Sequence, residues 1–399
     1  MDEPIRRGPR TVACCGLAAL AVAMGIGRFA FTPILPAMQE ESGVTLAEGG
    51  WLASANYLGY LLGALCATRS DVRQSFAIRL GLLTIALTTL AMGFTDSFAA
   101  WIALRALPGF ASAWVLVYVS SWALEHLSRA ERPDLGGTVY AGVGAGIVFA
   151  GGVCLLLFDA RFSSSDAWAA LGIAALGVTV ILWRPIASDV KAAAAAPAAL
   201  ASPREIPEFW RLVFCYGAFG LGYIIPASFL PVMAKQVISD PIWFGWAWPV
   251  FGAAAVVSTL IAARLSLVMG QRGVWIVGSF VMALGVLIPP VLPGLAGIAI
   301  AALCVGGTFM VNTMAGLQEA RRVAGAHARV LMAAMTSAFA VGQIVGPLLV
   351  SSLIEMKGGF SLALVAAAIP LLLAACILFL RPSNERRKQW TILGGSSGK

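Results

Sequence analysis

The sequence GIGRFAFTPILPAM (residues 25–38) returns in altered form 195 residues later as GLGYIIPASFLPVM (residues 220–233). The identical positions pair Gly25 with Gly220, Gly27 with Gly222, Leu35 with Leu230, Pro36 with Pro231 and Met38 with Met233. The same offset pairs Gly50 and Trp51 with Gly245 and Trp246, and Ala67 and Arg69 with Ala262 and Arg264. Because proline, tryptophan and arginine rarely coincide by chance at one offset, we infer an internal repeat.

The composition identifies the environment of both halves. The chain has 399 residues, of which 59% are hydrophobic and 12% are charged, whereas soluble proteins carry about 25% charged residues. Apolar stretches of about 20 residues recur, and each can cross a hydrocarbon core about 30 Å thick as a helix. A transmembrane β-barrel needs strands of alternating polarity, and that period is absent. The sequence therefore predicts an all-α polytopic membrane protein.

Apolar runs and helix breakers predict twelve transmembrane helices, the first of them uncleaved. These spans cover 12–38, 48–67, 76–95, 98–126, 136–158, 167–184, 209–235, 242–266, 272–291, 294–316, 328–354 and 360–380. Since six is an even number, the two six-helix repeats are parallel and related by an axis along the membrane normal. We predict an N-terminal bundle at 1–184, a cytoplasmic linker at 185–208, and a C-terminal bundle with a cytoplasmic tail at 209–399.

The positions of lysine and arginine predict the orientation. With a cytoplasmic N-terminus, most of the 27 Lys and Arg residues fall on the cytoplasmic side, as the positive-inside rule requires. The exceptions are Arg161, Lys235 and Lys357 outside, and Arg28 and Arg105 within helices. Both termini are then cytoplasmic. This topology accounts for the net charge of +8, so no nucleic-acid partner is expected.

Several motifs carry a resemblance to the major facilitator superfamily over essentially the full length. LRALPGFAS (104–112) resembles its fourth-helix motif, and GVGAGIVFAGG (142–152) resembles its fifth-helix antiporter motif, with Ile147 in place of proline. GALCATRSDVR (63–73) is a degraded loop motif in which Ala67 and Thr68 replace an acidic and a basic residue. The segment at 25–38, with GWLASANYLGYLLGAL (50–65), resembles the YbfB/YjiJ group of bacterial facilitators. The resemblance implies a monomeric inner-membrane transporter whose central cavity is lined by helices 1, 4, 7 and 10.

Arg28 is the main candidate for binding the solute. It lies in the first span, where a charge costs at least roughly 2.5–3.5 kcal/mol on insertion scales. In one interpretation it faces an aqueous cavity and binds an anionic group, with Thr32 on the same helical face. In the other it binds backbone carbonyls loosened near Pro33 and holds the first helix to a neighbour. Its repeat partner is Tyr223, so the positive charge is not symmetric between the halves.

Other polar residues within the spans are candidates for the same cavity. Asn56 and Tyr60 share a face of the second span, and each either lines the cavity or bonds a neighbouring helix. Asn312 in the tenth span and Gln343 in the eleventh have the same alternatives. We predict a substrate-binding set of Arg28, Thr32, Asn56, Tyr60, Tyr223, Asn312 and Gln343.

Two residues are candidates for proton coupling or for locking helices together. The superfamily resemblance implies this role for Arg105 in the fourth span. No Asp or Glu lies at mid-membrane depth, and buried carboxylates commonly relay protons in transporters, which leaves Glu125 near the inner end of the fourth span. The absence of buried carboxylates also favours an anionic or neutral solute over a cationic one.

Small residues predict close helix packing. Gly142 and Gly146 in the fifth span, and Gly342 and Gly346 in the eleventh, have the spacing that lets helices approach closely. Gly109 and Pro347 complete the residues that we assign to helix packing.

The sequence offers little for catalysis or metal binding. The seven cysteines lie in apolar segments without the paired spacing of metal sites. Only Glu125 and His126 form an adjacent acid and base pair. We therefore expect no enzyme activity, cofactor or metal, and an integral membrane transferase is a remote alternative. No phosphate-binding loop of the ATP-driven type is present.

We predict a secondary active transporter that moves a small organic solute, anionic or neutral, across the inner membrane by alternating access. Proton coupling is expected, and export is favoured slightly over uptake. The alternative is an uptake facilitator or uniporter of the same fold.

Overall fold

The computed structural model describes residues 8–70, 72–187, 207–237, 241–353 and 359–380. Every regular element among them is helical. The α-helices are α1 (Pro9–Leu20), α2 (Phe31–Ser42), α3 (Leu46–Arg69), α4 (Gln74–Met92), α5 (Phe98–Arg129), α6 (Gly136–Asp159), α7 (Ser164–Trp183), α8 (Pro207–Val237), α9 (Pro241–Val291), α10 (Leu295–Ala324), α11 (Ala328–Leu353) and α12 (Gly359–Phe379). Most of the predicted linker and the whole C-terminal tail lie outside the described residues.

The described helices are consistent with twelve crossings. Nine stretches of them are long and apolar enough to cross a membrane, and two of these, Trp248–Val291 and Leu295–Gly346, hold 44 and 52 residues. About 20 residues suffice for one crossing, so each of the two has room for two, which gives eleven crossings. Helix α3, with 24 residues, is not among the nine stretches but is long enough for the twelfth. Within α9 the chain turns at Gly270, whose φ of 73° is readily adopted only by glycine. The predicted all-α membrane architecture is confirmed.

The first crossing is not one continuous helix. A π-helical turn (Ala21–Ile26) follows α1, residues 27–30 form a turn, and α2 then begins at Phe31. Two glycines, Gly25 and Gly27, weaken the helix at this point. Pro33 lies in the first turn of α2, where the missing N–H would have no helical partner. The break interrupts the angular relation between Arg28 and Thr32 that a regular helix would give.

Side-chain caps fix where two helices begin. Thr45 caps α3 and forms a reciprocal capping box with Glu48, and Ser163 does the same for α7 with Asp166. In each pair two backbone N–H groups that lack helical partners are satisfied. These caps determine the first residues of α3 and α7, which the apolar character of the sequence alone does not define.

Most helix contacts fall into two sets, and two pairs of helices make the main contacts between the sets. In the first set α3 and α4 pack on α5, α7 packs on α4, and α6 packs on α1. In the second set α11 and α12 pack on α8, while α10 and α12 pack on α9. Contacts of α6 with α9, and of α3 with α11, join the two sets.

Glycines mark the closest helix approaches. A Cβ atom added to Gly142 would overlap the backbone oxygen of Leu17, and one on Gly109 would overlap that of Asn56. The same test places Gly146 against Ala21, Gly342 against Leu221 and Gly217, and Gly346 against Ile224. At the first four positions helices touch through their backbones, whereas Gly346 lies against the side chain of Ile224. Pro347 lies in α11, but its side chain is outside the described part.

The contact between α6 and α9 is also made by glycines. A Cβ on Gly144 would lie 2.7 Å from the oxygen of Gly252, and a Cβ on Gly252 would lie 2.8 Å from the oxygen of Gly144. Gly151, two turns further along α6, lies against Pro249. The two sets of helices therefore meet here backbone to backbone.

Gly142→Ala should lower the free energy of unfolding by about 1–3 kcal/mol, because the added methyl group must displace the α1 backbone. Gly152→Ala on the same helix is the matched control, since nothing lies within 4 Å of its added Cβ and alanine favours helix by about 1 kcal/mol over glycine. Melting temperatures of the two variants in detergent should move in opposite directions. Equal shifts would contradict the backbone contact.

Candidate substrate site

A small cavity lies where the two sets of helices meet. Its wall is formed by side chains of the π-turn and the following turn, α3, α5, α6, α8, α10 and α11. The polar members of the wall are Arg28, Tyr60, Tyr216, Tyr223, Thr313 and Gln343. The centre of a water molecule has about 20 Å³ in which to move, and about 10–15 Å³ is enough for one water. In this conformation the cavity is therefore closed around a volume smaller than an organic solute.

Arg28 is the only cationic side chain in that wall. Its side chain is 4% exposed, and its guanidinium carbon lies 4.1 Å from the ring centre of Tyr60 and 5.4 Å from that of Tyr57. Nη2 donates to Oε1 of Gln343 on α11. Nε and Nη1 are buried without a hydrogen-bond partner, and no carboxylate among the described residues forms an ion pair with this arginine.

The backbone around Arg28 is held by neighbouring side chains. The N–H groups of Gly27 and Phe29 bond the carbonyls of Val22 and Met24, five residues back. This π pattern recurs at functional sites in helices. Ser112 of α5 donates to the carbonyl of Ala23 at 2.6 Å.

Asn56 also holds this segment. Its Nδ2 donates to the carbonyls of Gly27 and Arg105, at 3.4 and 2.9 Å. It therefore joins α3 to the first crossing and to α5. It does not line the cavity, so the structure places it as an interhelix bond.

The remaining predicted binding residues divide into two groups. Tyr60, Tyr223 and Gln343 line the cavity with Arg28. Thr32 is exposed, because the break before α2 turns it away from Arg28. Asn312 is fully buried, with both amide atoms unpartnered, and its Oδ1 contacts the backbone at Gly278 of α9. The structure brings neither Thr32 nor Asn312 to the cavity.

Arg105 and Glu125 lie away from the cavity wall. Arg105 is 3% exposed, and its guanidinium carbon lies 4.5 Å from the ring centre of Phe31 on α2. Glu125 forms an ion pair with Arg129, one turn further along α5, at 2.8 Å. Both positions are compatible with holding helices together, and neither contacts the space beside Arg28.

Sequence reasoning missed most of the aromatic wall. Tyr216, Phe309, Phe339 and Phe29 line the cavity together with Tyr223. Tyr216 and Tyr223 are seven residues apart and share one face of α8, which is a signal that the sequence does contain. The other rings come from separate helices, and no local spacing relates them.

An ion-pair network near the predicted cytoplasmic ends of α8 and α10 and the Gly270 turn of α9 was also missed. Arg272 contacts the carboxylates of Glu208 and Glu319. Arg211 also pairs with Glu208, and Arg322 pairs with Glu319. Glu319 has a side chain that is only 1% exposed, so its charge is stabilised by these arginines. The network ties three helices of the second set together.

In the described part of the chain, no group of three His, Cys, Asp or Glu side chains could hold a metal ion.

Comparison with known proteins supports the sequence resemblance. The family model described as "Uncharacterised MFS-type transporter YbfB" matches residues 20–379. Among solved structures the chain is similar to the human organic anion transporter MFSD10 (TETRAN), with 15% identity and a TM-score of 0.72 over 94% of this chain and 100% of that chain. At that identity the similarity shows the fold alone. No curated protein sequence matches significantly. The chain therefore belongs to the YbfB family of MFS-type transporters, which are multi-pass membrane proteins with the major facilitator fold.

Proposed function

We propose that this protein is a secondary transporter that carries a small organic anion across the membrane, with Arg28 as the anion-binding group. The observation that supports this most strongly is the chemistry around Arg28. A guanidinium is buried between the two sets of helices with two nitrogen donors unpartnered. A buried charge is costly unless it is paired. An anionic solute would supply the missing charge and accept those hydrogen bonds.

A structural role accounts less well for the same residue. An arginine that served to bond loosened carbonyls would donate to the backbone near Pro33. Its hydrogen bond goes instead to the side chain of Gln343, and the carbonyls of the irregular segment accept from Ser112 and Asn56. The bond to Gln343 does hold the first crossing to α11, but a purely structural role leaves the two buried donors Nε and Nη1 unexplained. The structural neighbour is also described as an organic anion transporter, which agrees with this proposal without deciding it.

Alternating access is the proposed mode of action. The bundles at 1–184 and 209–399, joined by the segment 185–208, would rock about the contacts of α6 with α9 and of α3 with α11. The hydrogen bond from Arg28 to Gln343 crosses between the bundles. An arriving anion would compete with Gln343 for Nη2, so that binding the solute loosens one contact between the bundles.

Energy coupling and location complete the proposal. We place the protein as a monomer in the bacterial inner membrane on the basis of the family resemblance. The lysine and arginine distribution supports placing both termini in the cytoplasm. Coupling to protons, with export favoured over uptake, rests on the family resemblance, and Arg105 and Glu125 are its proposed participants.

Transport in proteoliposomes tests this function. The solutes are chosen because they do not cross the lipid bilayer by themselves in an uncharged form. Proteoliposomes would be given methanesulfonate, benzenesulfonate, succinate, tetraethylammonium or glucose, and uptake would be compared with protein-free liposomes. We expect uptake of at least one anion, and uptake above equilibrium under a proton gradient if protons drive it. Transport of tetraethylammonium alone, or of no anion, would overturn the assignment.

A further inference from the structure

Three aromatic rings make up much of the cavity wall. Tyr223, Phe309 and Phe339 all line it, and they come from α8, α10 and α11. The ring of Tyr223 lies 5.4 Å from that of Phe309 with an angle of 18° between the planes. It lies 6.2 Å from the ring of Phe339 at 23°. The three rings are therefore nearly parallel and stacked, with Tyr223 between the other two.

This stack continues behind the cavity. Phe251 of α9 lies 5.2 Å from Phe309 at 20°, and Trp248 lies 5.3 Å from Phe251 at 4°. Packing of each ring on the next restricts the rotation of the rings at the cavity. The rings are thus held in place before a ligand arrives, which lowers the entropy cost of binding.

The polar part of the wall fits one negative charge. Arg28 supplies the single cation, with Nε and Nη1 unpartnered. Gln343 beside it is neutral. A second anionic group on the same ligand would meet only uncharged side chains of the wall, where an unpaired charge is costly.

We propose that the site selects aryl monoanions, in which one anionic group is attached to a planar aromatic ring. The anionic group binds Arg28 in place of Gln343, and the ring lies against Phe309 and its neighbours. This inference rests on the proposed function, since it names the class of anion that Arg28 receives. Because the cavity is closed in this conformation, the ligand enters when the bundles separate.

The aromatic wall distinguishes this class from aliphatic anions of the same size. Cyclohexanecarboxylate has the charge of benzoate and a more apolar body, so burial of apolar area alone would favour it. Offset or edge-to-face contacts with the aromatic rings of the wall would favour benzoate instead. The order of the two affinities therefore reports on the stack.

Isothermal titration of the purified full chain in detergent tests the proposal. We expect benzoate to bind about threefold to tenfold more tightly than cyclohexanecarboxylate. Benzamide, which lacks the charge, and phthalate, which has two, should both bind more weakly than benzoate. In Phe309→Leu the preference for benzoate over cyclohexanecarboxylate should disappear, and it should persist in Tyr223→Phe, which keeps the ring.

Phe214→Leu is the matched control, because this α8 side chain is 56% exposed on the outer surface. If Phe309→Leu does not fold, as judged by its melting temperature, Phe339→Leu replaces it. Equal binding of the two acids, or tighter binding of cyclohexanecarboxylate, overturns the aryl selectivity and leaves anion transport standing. Binding of neither acid, with no anion transported in liposomes, overturns the proposed function as well.

Discussion

Arg28→Gln should abolish solute transport and weaken anion binding by about tenfold to a hundredfold. A hydrogen bond to a charged group contributes about 1.5–3 kcal/mol, and glutamine offers a neutral amide in its place. The melting temperature should hold or rise, because the variant removes a buried charge that has no carboxylate partner among the described residues. The measurements are flux in proteoliposomes, titration with benzoate, and thermal unfolding in detergent.

Two further variants sharpen this prediction. Arg28→Lys keeps the charge but loses the planar fork of donors. Its affinity for the anion should therefore lie between that of the unaltered protein and that of Arg28→Gln. Arg73→Gln, at an exposed position before α4, is the control for loss of one positive charge. A marked fall in stability with unchanged anion binding would return Arg28 to a structural role.

Arg272→Ala should lower the free energy of unfolding by about 3 kcal/mol. Removing one partner of a buried ion pair leaves charge uncompensated and costs about 3–5 kcal/mol. Because Arg322 and Arg211 still contact the two carboxylates, the loss of stability should lie at the lower end of that range. Thermal unfolding in detergent measures the loss. Arg264→Ala, at an exposed position in the same α9, should have little effect.

A double variant identifies the cause of that loss. In Arg272→Met with Glu319→Leu, both charges are replaced by apolar side chains of similar length, a change that is often neutral in buried ion pairs. Most of the stability lost in Arg272→Ala should therefore be recovered. A double variant as unstable as the single one would show that packing of the arginine side chain, and not its charge, holds the three helices.

Much of the fold can be predicted from the sequence because membrane helices need long apolar runs. The turn at Gly270 falls between two spans that the sequence separates at 266 and 272, and the contact of α6 with α9 includes glycines of the fifth span. The break before α2 was not predicted. A regular rotation of about 100° per residue would place Thr32 on the face of Arg28, whereas the structure has a break between them and leaves Thr32 exposed.

The cavity was harder to predict for a physical reason. In a soluble protein the apolar face of a helix marks the core, but in lipid the outward face is apolar as well. Periodicity therefore does not tell whether Phe309 or Phe214 faces inward. A lone charge such as Arg28 is informative, because it has no stable place in lipid. Aromatic residues carry no such signal, so only the three-dimensional structure gathers them into a stack.

The glycine pair at 144 and 252 has a mechanical consequence. Neither residue has a side chain, so at this point the two backbones are in direct contact, with the side chains of Ile147 and Val256 beside them. We expect this close crossing to be the pivot about which α6 and α9 tilt. A larger residue at either position would push the two helices apart and fix the angle at which they cross.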